Sequence, residues 1–133
     1  MPTYSTAIPG VPGGPIETSF PVHLKIAAAW RTNVRPGIRA RLPRRTVQHE
    51  TANPNSMAVD DATYLANGSE GRQASWHITV DDTEAYIGIP LDEVTWQASD
   101  GAGPGNYNGI SCELSVHRNI TADPNRRAQS QQN

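Results

Sequence analysis

Cysteine, aromatic residues and long apolar runs are all scarce in this chain of 133 residues. The one cysteine excludes an internal disulfide framework and a zinc knuckle built from several thiolates. Hydrophobic residues make up only 36%, and no apolar run approaches the roughly 18 residues of a membrane span. The net charge of -2 excludes a polybasic nucleic-acid-binding protein. We therefore expect neither a membrane nor a nucleic acid as a partner.

The amino-terminal segment also lacks the basic stretch and the apolar stretch of a secretory signal. Residues 1–22 are instead rich in proline and glycine, which predicts an extended arm in front of a single domain at 23–133. The apolar run at 24–30 fits either a short helix or a strand. The arginine cluster at 35–45 is expected to be a solvated loop, because charge runs usually face water.

Four strands and two helices are predicted after the arginine cluster. The periodicity places strands at 46–49, 76–82, 85–89 and 109–116, and helices at 56–66 and from 124. Asn55 or Ser56 would cap the first helix, and Gly68 would end it.

The last residues form a well-capped but polar helix. Asp123 is a favourable N-cap, and Pro124 suits the first helical position. The residues that follow are almost all polar, so this helix has little to bury. We therefore expect that the chain is a fragment, with further helix and sheet material after Asn133. A frayed polar terminus is the alternative.

Four histidines are candidates for metal binding or proton transfer. His49 and His77 lie on predicted strands, where an imidazole can be a zinc ligand, a base or a hydrogen-bonded core residue. The pattern does not decide among these roles. His23 and His117 lie in uninformative contexts and are assigned no role.

Glu113 is the informative carboxylate because it lies in the middle of an otherwise uncharged strand, where glutamate is uncommon. Alternation along the strand places Cys112 and Leu114 on one face and Glu113 on the other. Glu113 then either faces solvent or lines a cleft. Burial in a cleft would raise its pKa and make it a general base near neutral pH.

Five ordered blocks between about residues 35 and 125 resemble the zinc-dependent N-acetylmuramoyl-L-alanine amidases. This family is shared by phage endolysins, bacterial cell-wall amidases and peptidoglycan recognition proteins, and the endolysin branch is the most similar in pattern. The blocks are VQHETANP at 47–54, SWHITVDD at 75–82, YIGIP at 86–90, WQASDGAGPGN at 96–106 and GISCEL at 109–114.

The resemblance implies roles for individual residues. His49 would be the first zinc ligand, and Glu113 would be the catalytic glutamate. The residues that would bind substrate or surround the site are Trp76, His77, Trp96 and Gln97. Gln97 stands where the family often has a histidine. Unlike histidine, glutamine cannot become positively charged by binding a proton near pH 7. The two remaining zinc ligands of the family come in a later segment and are expected beyond residue 133, since Cys112 is in the wrong place to be one.

The resemblance also implies a fold and an activity. The fold would be α/β (α+β), with a central mixed β-sheet flanked by helices, and residues 23–133 would be a catalytic domain without its C-terminal part. The implied activity is hydrolysis of the amide bond between N-acetylmuramic acid and L-alanine by zinc-activated water. The implied cofactor is Zn²⁺, and the implied partners are bacterial peptidoglycan and either a missing C-terminal segment or a partner chain. A phage or a bacterial cytoplasm would be the source, with action on the cell wall after release.

Two other interpretations stay open. Family members that lack a complete zinc set keep the fold and bind muropeptides without cleaving them, so this chain would be a binding module. The last interpretation is a fragment that does not fold alone, because its few apolar residues build only a small core.

Overall fold

The computed structural model describes residues 2–133, which form seven strands and four helices. The strands are β1 (Tyr4–Thr6), β2 (Ile16–Thr18), β3 (Val22–Leu24), β4 (Arg45–Glu50), β5 (Ile78–Val80), β6 (Ala85–Ile87) and β7 (Gly109–Leu114). The helices are α1 (Ala58–Ala66), α2 (Pro104–Asn108), α3 (Arg118–Thr121) and α4 (Pro124–Gln132), and a 3-10 turn spans Ser69–Gly71.

Five of the strands form one mixed sheet in the order β3-β6-β5-β7-β4. β5 and β6 pair antiparallel, whereas β3 with β6, β5 with β7 and β7 with β4 pair parallel. A parallel arrangement needs long connections, and α1 lies in the connection between β4 and β5, where it packs on β5 and β6. The expected α/β (α+β) class, with a central mixed sheet flanked by helices, is confirmed.

The two faces of this sheet differ in chemistry. The back face is apolar: Val80, Ala85 and Leu114 are buried on it, packed against Phe20, Val22, Ile78 and Cys112. A cavity of about 220 Å³ behind this face is also lined by Ile8, by Ile16 of the β1–β2 hairpin and by Asn133. The front face carries the polar residues Thr79, Ser111 and Glu113, and the first two are completely buried. The alternation predicted for Cys112, Glu113 and Leu114 is confirmed.

Several predicted elements are shorter in the structure. The strand expected at 76–82 is only β5, because Asp81 Oδ1 accepts hydrogen bonds from the amides of Thr83 (2.8 Å) and Glu84 (3.0 Å) and turns the chain. The strands expected at 85–89 and 109–116 end at Ile87 and Leu114. The run at 24–30 forms no helix, and only its first residue belongs to a strand.

The start of α1 differs from the expected cap. Ser56 donates its hydroxyl hydrogen to the Asp61 carboxylate (2.9 Å), so the cap position falls to Met57. The Met57 amide donates to Asp60 (2.9 Å), and the Ala58 amide donates to Asp81 (3.2 Å). Two carboxylates thus satisfy the helix start that Asn55 or Ser56 was expected to satisfy.

The other predicted helix signals are confirmed. Gly68 follows α1 with a φ of 93°, a conformation that favours glycine at a helix end. Asp123 accepts hydrogen bonds from the Asn125 amide (2.9 Å) and the Arg126 amide (3.4 Å) at the start of α4. No helix among residues 2–133 has the length and hydrophobicity that crossing a bilayer requires.

The solvated-loop expectation for the arginine cluster is wrong for two of its members. Arg35 binds both carboxylate oxygens of Glu93, at 2.9 and 2.8 Å. Arg44 donates to three backbone carbonyls, those of Leu91, Asn108 and Gly109. These guanidinium groups tie the loop to the strand ends instead of facing water.

His77 is completely buried and connects β7 to the segment that follows β6. Its Nδ1 accepts a hydrogen bond from the Ser111 amide (3.0 Å), and its Nε2 donates to the Glu93 carbonyl (2.7 Å). Both nitrogens are therefore occupied, and the ring is neutral. Burial lowers the pKa of His77 to about 4, because the charged imidazolium would lose its hydration.

We predict that this histidine makes the protein less stable in mild acid. The unfolded chain binds a proton at His77 below about pH 6.5, whereas the folded chain binds it only near pH 4. The neutral His77 ring therefore contributes fully to the free energy of unfolding above pH 6.5. This contribution, roughly 3 kcal/mol, is lost as the pH falls toward 4. Urea unfolding between pH 4 and pH 7 measures it.

The comparison uses the pH slope of the free energy of unfolding, because His77→Gln also alters packing. The slope should flatten in His77→Gln and stay as in the parent in Asn125→Ala, an exposed position that carries no titratable group. Equal slopes in the parent and in His77→Gln would contradict the prediction.

Candidate active site

The front face brings His49 and Glu113 side by side. The two residues are register partners in the parallel pair β4–β7. Register partners on neighbouring strands, about 4.8 Å apart, point their side chains to the same face of a sheet. Both side chains are half-buried. An imidazole and a carboxylate are thus placed where both can reach one small molecule.

Burial is the main influence on Glu113 and raises the pKa of its carboxyl group. The negative charge of Asp61 on α1 raises it further, whereas a positive charge on His49 acts in the opposite direction. A carboxylate with a raised pKa is a stronger base than an exposed one, and once protonated it can return the proton as an acid.

Asp61 influences the charge of Glu113, and sequence reasoning did not single it out. Burial raises its own pKa, while a hydrogen bond from the Ser56 hydroxyl (2.9 Å) lowers it. The signal in the sequence is the Asp60-Asp61 pair in the first turn of α1, which is also the ordinary signature of a helix start. Only the packing of α1 beside β5 shows that Asp61 acts on Glu113 in addition to being an acidic residue at a helix start.

Gln97 contacts His49 directly. The side-chain oxygen of Gln97 lies 2.6 Å from His49 Nε2, and its side-chain nitrogen donates to the Gly105 carbonyl at 2.5 Å. This glutamine, expected to surround the site or to bind substrate, is therefore in contact with the expected zinc ligand.

The loop around Gln97 is held by two side chains. Asn106 Oδ1 accepts hydrogen bonds from the amides of Gln97 (2.9 Å) and Ala98 (2.8 Å). The Asp100 carboxylate accepts from the amides of Gly105 (2.7 Å) and Asn106 (3.0 Å) at the start of α2. The loop that carries Gln97 is thus fixed by hydrogen bonds at both ends.

The two tryptophans occupy different places. The Trp76 indole donates to the Thr79 hydroxyl (2.7 Å), and Thr79 is the register partner of Glu113 on β5. Trp76 also packs against a core cluster, so it supports the site from within the fold. Trp96 lies beside Tyr107, with ring centroids 6.3 Å apart, and lines a polar cavity of about 380 Å³ with residues of the glycine-rich loop.

Comparison with known proteins shows which family this chain belongs to. The profile described as N-acetylmuramoyl-L-alanine amidase matches residues 39–132, more than two thirds of the chain. The chain belongs to this amidase family. The match includes β4 with His49, β7 with Glu113 and the loop with Gln97.

Individual amidases and endolysins agree with the family assignment. The N-acetylmuramoyl-L-alanine amidase XlyA of Bacillus subtilis is 44% identical over 84 residues, which is 62% of this chain and 27% of that protein. A mutant endolysin from Bacillus subtilis is similar in structure, with a TM-score of 0.67 and 35% identity over 75% of this chain and 64% of that one. The structure of PlyL gives a TM-score of 0.69 and 26% identity, over 84% and 65%. This chain therefore spans about a quarter of the length of XlyA.

Zinc dependence is general in this amidase family, but the residues described here do not form a zinc site on their own. Among residues 2–133, no group of three or more histidine, cysteine, aspartate or glutamate side chains is arranged to hold a metal. A hydrolytic zinc ion needs three protein ligands and one open position. His49 is the residue expected to be a zinc ligand, and no group of three that includes it is found among residues 2–133.

Asn106 should be required for the stability of the loop. Asn106→Ala removes the acceptor of two amides, and a buried amide without a partner costs about 1–3 kcal/mol. We expect the free energy of unfolding to fall by about 2–6 kcal/mol for the two amides, measured by urea titration. The matched control is Asn125→Ala, an exposed asparagine on α4, which should change stability little. Equal stability of Asn106→Ala and the parent would contradict this account of the loop.

Proposed function

We propose that the protein containing this chain is a peptidoglycan hydrolase that cleaves the amide bond between N-acetylmuramic acid and L-alanine. The single observation that supports this most is the placement of Glu113 beside His49 in a chain of the amidase family. Bacterial peptidoglycan is the proposed substrate. The proposed place of action is the cell wall, reached after release from a phage-infected or bacterial cytoplasm, as the likeness to an endolysin suggests.

Glu113 acts as the general base in this proposal. It accepts the proton of the attacking water and then delivers it to the nitrogen of the departing L-alanine, so it ends the cycle unchanged. Its raised pKa suits both steps, because a weaker acid holds the proton until the carbon–nitrogen bond breaks. Trp96 and the glycine-rich loop at 99–108 would shape the groove for sugar and peptide.

We also propose that the working site uses Zn²⁺, with His49 as one ligand. The chemistry of the donors supports His49, since imidazole is a common ligand of zinc. The ligand set is completed in this proposal by residues other than those described, because residues 2–133 offer no group of three. A longer chain or a partner chain would supply them.

The first test replaces the proposed base without changing its size. Glu113→Gln should lower the rate of cell-wall clearing about 10²–10⁴-fold, the usual contribution of a general base. Clearing is followed as turbidity of purified bacterial walls with added zinc, and the released L-alanine amino group is measured in parallel. The matched control is Glu17→Gln, an exposed glutamate on β2, which should clear walls like the parent. Equal clearing by Glu113→Gln and the parent would remove Glu113 from the mechanism.

The second test concerns the metal. After dialysis, the 133-residue chain should keep well below one zinc per molecule, because a single imidazole cannot hold the ion. Atomic absorption on the dialysed protein measures the ratio. Stoichiometric zinc that is lost in His49→Ala would show that other residues of this chain complete the site.

A second candidate function is binding without cleavage. The lack of a group of three metal-binding side chains among residues 2–133 favours it for this chain alone. Calorimetry with a soluble muropeptide, combined with analysis of the mixture for products, separates the two functions. Binding without any released peptide, even with added zinc, would support the binding module over the hydrolase.

A further inference from the structure

We propose that Gln97 is a positioning residue that holds the neutral His49 ring in one tautomer, protonated at Nε2, so that Nδ1 is the nitrogen with the free lone pair. The tautomer follows from the hydrogen bonds alone. Its consequence for catalysis rests on the proposed function.

The direction of the His49–Gln97 hydrogen bond fixes the tautomer. A carboxamide oxygen only accepts hydrogen bonds, and the Gln97 oxygen lies 2.6 Å from His49 Nε2. Nε2 must therefore carry the hydrogen. A neutral imidazole has one protonated nitrogen, so Nδ1 is left unprotonated.

The orientation of the Gln97 amide has independent support. Its nitrogen donates to the Gly105 carbonyl at 2.5 Å. A flipped amide would place two oxygens against each other there and would turn the nitrogen toward His49. The Gly105 carbonyl therefore selects the orientation that offers an acceptor to the ring.

The surroundings leave the Gln97 side chain little freedom to rotate. Its backbone amide is bound by Asn106. A β-carbon built at Gly109 would overlap the Gly105 carbonyl oxygen, which accepts from the Gln97 side chain, and would lie 3.0 Å from the Gln97 side-chain nitrogen. The absence of a side chain at 109 thus leaves room for this carbonyl and for the amide that binds it.

These contacts favour positioning over substrate binding as the role of Gln97. Its oxygen is engaged by His49 and its nitrogen by Gly105. A group that only orients another typically changes metal affinity or activity by about 10–100-fold when it is removed. A glutamine does this without a charge of its own, so the orientation does not depend on its titration.

NMR shows directly which nitrogen of the His49 ring carries the hydrogen. The ¹⁵N-labelled 133-residue chain, without metal and at a pH where imidazole is neutral, is studied by long-range ¹H–¹⁵N correlation, and His49 is assigned from the pattern that disappears in His49→Asn. We expect a protonated Nε2, an unprotonated Nδ1 and an observable Nε2 proton. In Gln97→Leu this proton should exchange with water about tenfold faster, the factor expected from the loss of one hydrogen bond.

The matched control is Gln48→Leu, which changes the neighbour of His49 on the other face of β4 and should leave the spectrum of the ring unchanged. A ring protonated at Nδ1 in the parent would overturn the proposal, and this outcome needs no variant to fold. Unchanged exchange in Gln97→Leu would overturn it as well.

Wall hydrolysis is measured separately on the same variants. A kcat about 10–100-fold lower in Gln97→Leu, with KM unchanged, supports the catalytic consequence. Full activity in Gln97→Leu overturns that consequence. Because the tautomer is read without substrate, a parent that hydrolyses nothing would count against the proposed function and not against the role of Gln97.

Discussion

The parallel pairing of β4 with β7 is the constraint on which the site depends. It makes His49 and Glu113 register partners, although the two residues are far apart in the sequence. A slip of one residue in either strand would move one of the two side chains to the opposite face, because side chains alternate along a strand. The alternation of β7 resists such a slip, since Leu114 is buried on the back face while Ser111 is buried on the front. The packing of β7 on both of its faces thus fixes the position of Glu113 beside His49.

The buried polar residues beneath the site form a connected network. The Ser111 hydroxyl lies within hydrogen-bonding distance of His77 Nδ1 (3.2 Å) and of the Thr95 hydroxyl (3.1 Å), and the Ser111 amide binds the same ring nitrogen. A buried polar group without a hydrogen-bond partner costs free energy, whereas a network in which each group has a partner makes the core rigid. β7 is therefore held from the front by hydrogen bonds and from the back by apolar contacts. Glu113 lies two residues after Ser111 on the same strand, so its backbone is held in place by the same contacts.

The parts of the fold that follow from local rules were predictable. The caps at Gly68 and Asp123 depend on a few neighbouring residues, and the alternation in β7 depends on one strand. The parts that depend on distant partners were not. The cap of α1 moved because Asp61 takes the Ser56 hydroxyl, and the pairing of β1 with β2 within the stretch expected to be an extended arm joins residues separated by a proline- and glycine-rich loop. A pattern in one segment does not specify which other segment will pair with it.

The same division applies to the site. His49 and Glu113 were recognisable because each lies in a block with a characteristic spacing, whereas Asp61 looks like an ordinary acidic residue at the start of a helix. Gln97 is the clearest case: its residue type fits a surface loop, a substrate contact or a partner for a histidine equally well. What decides among these is the turn from Asp100 to Asn106, which brings the Gly105 carbonyl to the amide nitrogen, and the bare backbone of Gly109 beneath it. The role of a side chain with two different polar ends is set by what occupies both ends. The loop closure that supplies the second partner exists only in three dimensions.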